Sequence, residues 1–292
     1  MSKFNIINDI WIDIPDWKCC ECSSINNKHY YYCNVCKTEN DKFNLINCNN
    51  EYKIENKKEK VMKVFNNSKI ITITLSCYNF EHFQKNITNL YPLFEKKIIG
   101  GIWITSSNNN YDVICDIIIW VKEMYPTFWV GVNLIGENII TVLKFINKYK
   151  PDGIWNDNSY ITDKDYQNIP ELIIDQFKRY NWNGLYFGGT LFKYITYEGD
   201  INKILENSYK YMDVVTTSGD GTGIEINDEK LINVYNLVEK KSLIAVASGI
   251  SSSNIKKISK YCNIFLVGTS VTDKDYNVIV DKVVELYYEL YY

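Results

Sequence analysis

Short apolar runs rich in β-branched residues recur along the chain after residue 68, and each is followed by a stretch with helical periodicity. Continuous apolar strands separated by helices predict a parallel sheet that is covered on its outer face. Eight such units between residues 69 and 292 favour a (β/α)8 barrel. A doubly wound open sheet is the alternative, but it would leave two strands more than that fold needs. The predicted strands are Ile70–Leu75, Gly101–Thr105, Trp129–Asn133, Gly153–Asn156, Gly184–Phe187, Val214–Thr217, Ile244–Ala247 and Ile264–Val267.

The loops after predicted strands six, seven and eight are rich in Gly, Ser and Thr. In a barrel the chemistry lies where strands end, and small residues there leave backbone N–H groups free to converge on a phosphate. Helices expected to begin at Asn254 and at Ser270 would add their positive N-terminal ends. Alternatively, the glycines only permit tight turns. The candidate phosphate-binding residues are Ser218, Gly219, Gly221, Thr222, Gly223, Ser248, Gly249, Gly268 and Thr269.

Few ionisable side chains lie near the predicted strand ends. We predict Asp157, Lys193 and Asp220 as an acid–base set, since burial can move such pKa values toward neutrality. Asp112 is a further candidate, and Lys193 could instead form a Schiff base, a salt bridge or a phosphate contact. Asp220 lies between two glycines, where an Asp often only hydrogen-bonds its own loop. His82 is expected at the surface.

Two CxxC pairs separated by ten residues lie near the N-terminus. Each pair aims two thiolates at one tetrahedral point, and two pairs close a four-sulfur shell that has no open position. The pattern therefore predicts one structural zinc ion, whose binding would supply most of the folding free energy of so short a segment. The predicted ligands are Cys19, Cys22, Cys33 and Cys36.

With Trp17 and Asn26, the four cysteines complete the spacing W-x-C-x2-C-x3-N-x6-C-x2-C. Residues 17–36 resemble the Ran-binding-protein type of zinc finger, which implies binding to ubiquitin or to single-stranded RNA. Ubiquitin-binding members carry Thr-Phe after the second cysteine, where Ser23 and Ser24 stand here. RNA-binding members carry arginines after the Asn, where Lys28 is the cation that remains. RNA, ubiquitin or another protein therefore stays open as the partner of Trp17, Asn26 and Lys28.

Four later stretches resemble successive strand ends of the BtpA family, which belongs with the ribose-phosphate-binding barrels. They are GVNLIGEN (131–138), DVVTTSGDGTG (213–223), VASGISSSNI (246–255) and FLVGTSV (265–271). The resemblance implies a TIM barrel that binds a phosphorylated small molecule, a sugar phosphate or a nucleotide-like compound, with lyase or isomerase chemistry.

Several charged positions of the BtpA family are replaced in this chain. Trp155 stands where the family has an Arg, and residues 136–138 stand where it has an Arg-Asn pair. Gly189 replaces an Asp and Tyr194 a His, whereas the family Lys is kept as Lys193. The alternative to an enzyme is therefore a catalytically inactive barrel scaffold, whose finger recruits RNA, ubiquitin or another protein.

Composition sets the remaining limits. The formal net charge is −3, so the whole molecule offers no long-range attraction for nucleic acid or an acidic membrane. The chain has no apolar run of about 18 residues and no apolar N-terminal stretch, which predicts a soluble, intracellular protein, cytoplasmic or nuclear. We predict a finger at residues 1–40, a Lys-, Glu- and Asn-rich linker or short amphipathic helix at 41–68, and the barrel at 69–292.

Overall fold

The computed structural model describes residues 17–18, 25–26, 54–106, 111–165 and 167–292. The predicted zinc ligands and Lys28 lie outside these residues. In the finger segment, the strand Trp17–Lys18 pairs antiparallel with Ile25–Asn26. Trp17 is the cross-strand partner of Asn26, so the two fixed positions of the finger pattern that are not cysteines lie opposite each other in one strand pair.

Eight parallel strands form a closed barrel, in which each strand pairs with the next along the chain and the last pairs with the first. This confirms the predicted fold class and excludes the open sheet. The strands are β1 (Ile70–Cys77), β2 (Gly101–Ser106), β3 (Val130–Asn133), β4 (Gly153–Asn156), β5 (Leu185–Gly189), β6 (Val214–Ser218), β7 (Leu243–Ala247) and β8 (Ile264–Val267).

Helices cover the outside of the barrel, and their apolar faces pack against the outward side chains of the strands. Within the described ranges, none of them is long and apolar enough to cross a membrane. They are α1 (Ile54–Phe65), α2 (Phe80–Glu95), α3 (Tyr111–Met124), α4 (Ile139–Tyr149), α5 (Asn168–Arg179), α6 (Ile201–Tyr211), α7 (Asp228–Val238), α8 (Ile255–Ile258) and α9 (Val280–Tyr291).

Aromatic side chains fill the inside of the barrel. Trp103 is completely buried, and its ring lies edge-on to Trp129 and Phe187 at centroid distances of 4.9 and 4.8 Å. Glycines make room for the indoles: a Cβ at Gly131 would lie 2.3 Å from Trp103, and one at Gly153 would lie 2.5 Å from Trp129. Because the lower lumen is filled, a ligand can enter only at the end where the strands finish, which we call the mouth.

Helix α1 closes the opposite end of the barrel. Val61 is completely buried, and Phe65 packs on Trp129 with ring centroids 5.1 Å apart. Lys57 Nζ donates to the carbonyls of Tyr209 and Lys210 at 2.9 and 2.6 Å, and burial lowers the pKa of this lysine to about 8. Helix α1, which lies within residues 41–68, therefore packs against the barrel as its closed end.

We expect Val61→Asp to lower the free energy of unfolding by about 3 kcal/mol, because it buries a carboxylate where an apolar side chain packs. Val64→Asp is the matched control, since Val64 lies on the same helix and is 44% exposed. Urea unfolding of both variants measures the effect. Equal stability of the two would contradict the docking of α1 under the barrel.

Candidate functional site

A cavity of about 390 Å³ opens at the mouth, between the loops that follow β5, β6, β7 and β8. Its walls are formed largely by small residues and backbone, as the sequence predicts for an anion site. Six of the nine predicted phosphate-binding residues line it, namely Thr222, Gly223, Ser248, Gly249, Gly268 and Thr269.

The other three predicted phosphate-binding residues do not line the cavity and hold the β6 loop in shape. Ser218 Oγ accepts a hydrogen bond from the backbone N–H of Lys193 at 2.8 Å. A Cβ at Gly219 would lie 2.1 Å from the carbonyl oxygen of Ile224, and one at Gly221 would lie 2.9 Å from the Ile224 side chain. For these positions the tight-turn interpretation fits the geometry.

The loop after β7 has an unusual backbone at the edge of the cavity. Ser248 and Gly249 have φ angles of +77° and +67°, and a Cβ at Gly249 would lie 2.2 Å from the backbone nitrogen of Glu225. The Asn254 side chain braces this loop, since it donates to the carbonyl of Gly249 at 2.7 Å and accepts from the N–H of Ser251 at 2.9 Å. Left-handed backbone at a non-glycine residue such as Ser248 is strained, and such strain concentrates at functional sites.

Lys193 joins three of the loops at the mouth. Its ammonium donates to Ser248 Oγ at 2.8 Å and to Thr222 Oγ1 at 3.2 Å. Burial lowers the pKa of Lys193, while the negative charge of Asp157 acts in the opposite direction. Tyr194, the next residue, accepts a hydrogen bond on its hydroxyl from the backbone N–H of Thr222 at 3.2 Å. Lys193 therefore brings a positive charge into the wall of the cavity.

Asp157 follows β4 and lies next to the cavity without lining it. Its Oδ1 accepts a hydrogen bond from Asn133 Nδ2 at 3.0 Å. Burial raises the pKa of Asp157, whereas the bond from Asn133 and the charge of Lys193 act to lower it. Opposite shifts bring the pKa values of a neighbouring carboxyl and amine closer together, which is a feature of acid–base pairs.

The structure does not bring the third predicted acid–base residue to the cavity. Asp220 is exposed in the β6 loop near Lys230, whose pKa burial lowers while the charge of Asp220 acts in the opposite direction. Lys230 in turn donates to the carbonyl of Ser218 at 2.8 Å. Asp112 lies exposed in the first turn of α3, and His82 is half-buried with its Nε2 3.1 Å from the Asp275 carbonyl oxygen.

The elements at Asn254 and Ser270, where the sequence predicts helix starts after β7 and β8, are short, and the long helix after β8, α9, begins at Val280. Asn254 precedes a helix of four residues, α8, and Ser270 lies within a single 3-10 turn, Thr269–Val271. Neither element is long enough to build a substantial helix dipole. Attraction for an anion at the mouth therefore depends on individual backbone N–H groups and on Lys193.

Sequence reasoning missed a group of unsatisfied polar atoms at the cavity. Thr74 Oγ1, Trp155 Nε1 and Ser270 Oγ are buried and have no hydrogen-bond partner within the described ranges, and all three residues line the cavity. Thr74 and Trp155 lie inside apolar strands, where the sequence suggests only packing. Counting alternate residues along β1 and β4 would have placed both on the inner face of the barrel.

The fold and the mouth define this chain as a TIM barrel. No protein-family model matches the chain, and no curated protein is similar to it in sequence. The resemblances to the BtpA family and to the Ran-binding-protein finger therefore rest on their motifs.

Solved structures of other TIM barrels superpose on most of the chain. N-(5'-phosphoribosyl)anthranilate isomerase from Pyrococcus furiosus is 14% identical, with a TM-score of 0.53, over 76% of this chain and 98% of that one. KGPDC from Streptococcus mutans is 9% identical, with a TM-score of 0.55, over 76% and 97%. KGPDC is also known in complex with a phosphorylated sugar. Tryptophan synthase from M. tuberculosis is 12% identical, with a TM-score of 0.53, over 79% and 98%. At these identities the likeness establishes the fold.

Backbone strain at Ser248 leads to a prediction about stability that can be tested without a ligand. Ser248→Ala and Ser248→Gly both remove the acceptor of Lys193, but only glycine adopts the left-handed conformation freely. We expect the glycine variant to be more stable than the alanine variant by about 1 kcal/mol in urea unfolding. An alanine variant as stable as the glycine variant would show that this loop relaxes without strain.

Proposed function

We propose that the barrel binds a phosphorylated small molecule, a sugar phosphate or a nucleotide-like compound, with its phosphate between the loops after β6, β7 and β8. The observation that carries the proposal is the ammonium of Lys193, which two hydroxyls hold in the wall of a cavity otherwise formed by small residues. An ammonium group beside backbone N–H groups that a ligand can approach closely is a combination that suits a phosphate dianion.

The solved structures support the same class of ligand. Among the neighbours are a phosphoribosyl-anthranilate isomerase and a protein determined in complex with a phosphorylated sugar. These descriptions belong to those proteins, and at this level of identity they add weight only in combination with the geometry of the mouth. The BtpA-like motifs point to the same end of the barrel, because three of the four stretches supply its loops.

For chemistry, we propose Asp157 and Lys193 as an acid–base pair of the lyase or isomerase type. The carboxyl pKa is raised and the amine pKa is lowered by burial, so proton transfer to and from a substrate becomes easier near neutral pH. Asp220 is left out of the pair because it faces solvent beside Lys230. A barrel without chemistry, which only holds its ligand, is the alternative.

Gly268→Asp is the variant that tests phosphate binding. Its Cβ would meet only Thr74, at 3.5 Å or more, so the loop can accept the side chain while the new carboxylate repels an anion. In phosphate-free buffer, we expect inorganic phosphate and ribose 5-phosphate to raise the Tm of the wild-type protein and to leave the variant unchanged.

Thr127→Asp supplies the control for Gly268→Asp, because it adds the same charge at an exposed position at the opposite end of the barrel. The control should keep the full ligand-induced shift. Wild-type protein whose Tm does not respond to either ligand would overturn the proposal. Lys193→Met should reduce the shift, and full persistence of the shift in this variant would show that the ammonium does not hold the phosphate. A ligand-induced shift without any turnover in the wild type would favour the holding barrel over the enzyme.

At the N-terminus we propose a zinc finger that recruits a partner, either single-stranded RNA or ubiquitin or another protein. The support for this proposal is the strand pair in which Trp17 lies opposite Asn26. The first CxxC pair lies between these two residues in the sequence. The four cysteines Cys19, Cys22, Cys33 and Cys36 suit a closed tetrahedral site, in which zinc would supply structure and not catalysis.

Metal analysis tests the finger directly. We expect purified, reduced protein to contain about one zinc ion per chain and Cys33→Ser to lose most of it, since three thiolates leave the tetrahedral shell open. Cys20→Ser, which alters the remaining cysteine of the motif, is the matched control and should keep the metal. Loss of RNA binding in Trp17→Ala with zinc retained would identify RNA as the partner.

A further inference from the structure

We infer that Trp155, with Thr74 and Ser270, forms a second recognition point in the mouth cavity, which binds a hydroxyl or carbonyl oxygen on the uncharged part of the phosphorylated ligand. The inference rests on the proposed function, and it narrows the ligand to the phosphate ester of an uncharged sugar. Trp155 would act as a specificity residue and not as an acid or base.

The first argument is the state of the polar atoms. Buried polar groups in native proteins are nearly always hydrogen-bonded, because an unpaired one lowers stability. Thr74 Oγ1, Trp155 Nε1 and Ser270 Oγ lack a partner within the described part of the chain, although they come from three different segments of the barrel. All three residues line one cavity, so a single ligand could satisfy them together.

Other buried indoles of the barrel behave differently. Trp103 Nε1 donates to Thr72 Oγ1 at 3.1 Å, deep in the lumen, and Trp182 Nε1 donates to the carbonyl of Pro151 at 2.8 Å. Trp155 is also buried, with only 7% of its surface exposed, but its N–H has no such acceptor in the described chain. The N–H groups of Trp103 and Trp182 are therefore satisfied within the fold, whereas the N–H of Trp155, beside the cavity, is unpaired in the described chain.

The indole of Trp155 is held in a fixed orientation. Its ring lies edge-on to Trp103 and Phe192, with centroids 5.9 and 5.8 Å apart. Phe192 is next to Lys193, whose ammonium lies 5.8 Å from the Phe192 ring centroid. One packed cluster thus carries both the cation for the phosphate and the donor for the rest of the ligand, and this pre-organisation favours binding.

The chemistry of the lining selects the ligand. An indole N–H only donates, whereas the hydroxyls of Thr74 and Ser270 can donate or accept. Lys193 and Glu225 are the ionisable residues among those that line the cavity, and Glu225 is paired with Lys257 at 2.8 Å. The part of the ligand beyond the phosphate is therefore uncharged and rich in oxygen. A volume of about 390 Å³ is near the lower end for ligand pockets, which suits a sugar phosphate better than a nucleotide.

Trp155→Phe tests the inference, because it removes the N–H and keeps an aromatic ring in the cluster. Calorimetric titration should show an affinity for ribose 5-phosphate that is about 5- to 10-fold weaker, with the affinity for inorganic phosphate unchanged. The Tm of the free variant should not fall as it does in Trp182→Phe, the control that loses a satisfied indole bond. Thr74→Val, which is nearly isosteric, should also weaken ribose 5-phosphate selectively.

The outcomes separate the two proposals. If inorganic phosphate does not bind the wild-type protein, the proposed function fails. If phosphate binds but ribose 5-phosphate binds no more tightly, or if both Trp155→Phe and Thr74→Val leave the ratio of the two affinities unchanged, this inference fails and the phosphate site stands. Tighter binding of nucleoside monophosphates than of ribose 5-phosphate would overturn the assignment to a sugar phosphate. Should Trp155→Phe not fold, Thr74→Val alone decides.

Discussion

The packing of tryptophan against glycine inside the barrel is the constraint on which the rest of the structure depends. Trp103 and Trp129 occupy the space that side chains at Gly131 and Gly153 would need. Indoles of this size fill the lower lumen completely, and α1 covers the end below them through Val61. Within the lumen of the described barrel, space for a ligand is left above the indole of Trp155, so the position of the mouth cavity follows from the way the core is filled.

Lys193 links that core to the loops of the mouth. Phe192 packs on Trp155 from within, and the ammonium of the next residue holds the loops after β6 and β7 through Thr222 and Ser248. A change in the aromatic cluster would therefore also affect the proposed phosphate site. The strained backbone of Ser248 is consistent with this arrangement, because its side chain must face Lys193 from a position that favours glycine.

The eight strands were predictable from sequence because each is a continuous apolar run, and burial on both faces leaves that pattern in the residues themselves. For the segment of α1 the sequence left both a linker and a short amphipathic helix open, because its lysines make the segment look solvated. Lys57 and Lys60 are instead paired with carbonyls at the base of the barrel and with Asp213, contacts over 120 residues apart in sequence that no local pattern records. The same holds at the mouth, where the glycines beside Asp220 suggest a loop role but the sequence names no partner for Asp157 or Asp220. Only the folded chain distinguishes the carboxylate bonded to Asn133 from the one beside Lys230.

One close contact sets the shape of the mouth between β4 and β5. A Cβ at Gly189 would lie 2.0 Å from the carbonyl oxygen of Asp157, so the backbone that follows β4 occupies the space that any side chain at position 189 would need. An acidic side chain on β5 and the present course of β4 therefore exclude each other. The carboxylate that acts on Lys193 comes from β4 instead, as Asp157. Trp155 of β4 also lines the mouth, and its N–H has no acceptor in the described chain. Lys193 and Glu225 are the ionisable residues among those that line the described cavity, and Trp155 adds a neutral donor, so the mouth suits the ligand proposed above, which carries its charge on the phosphate.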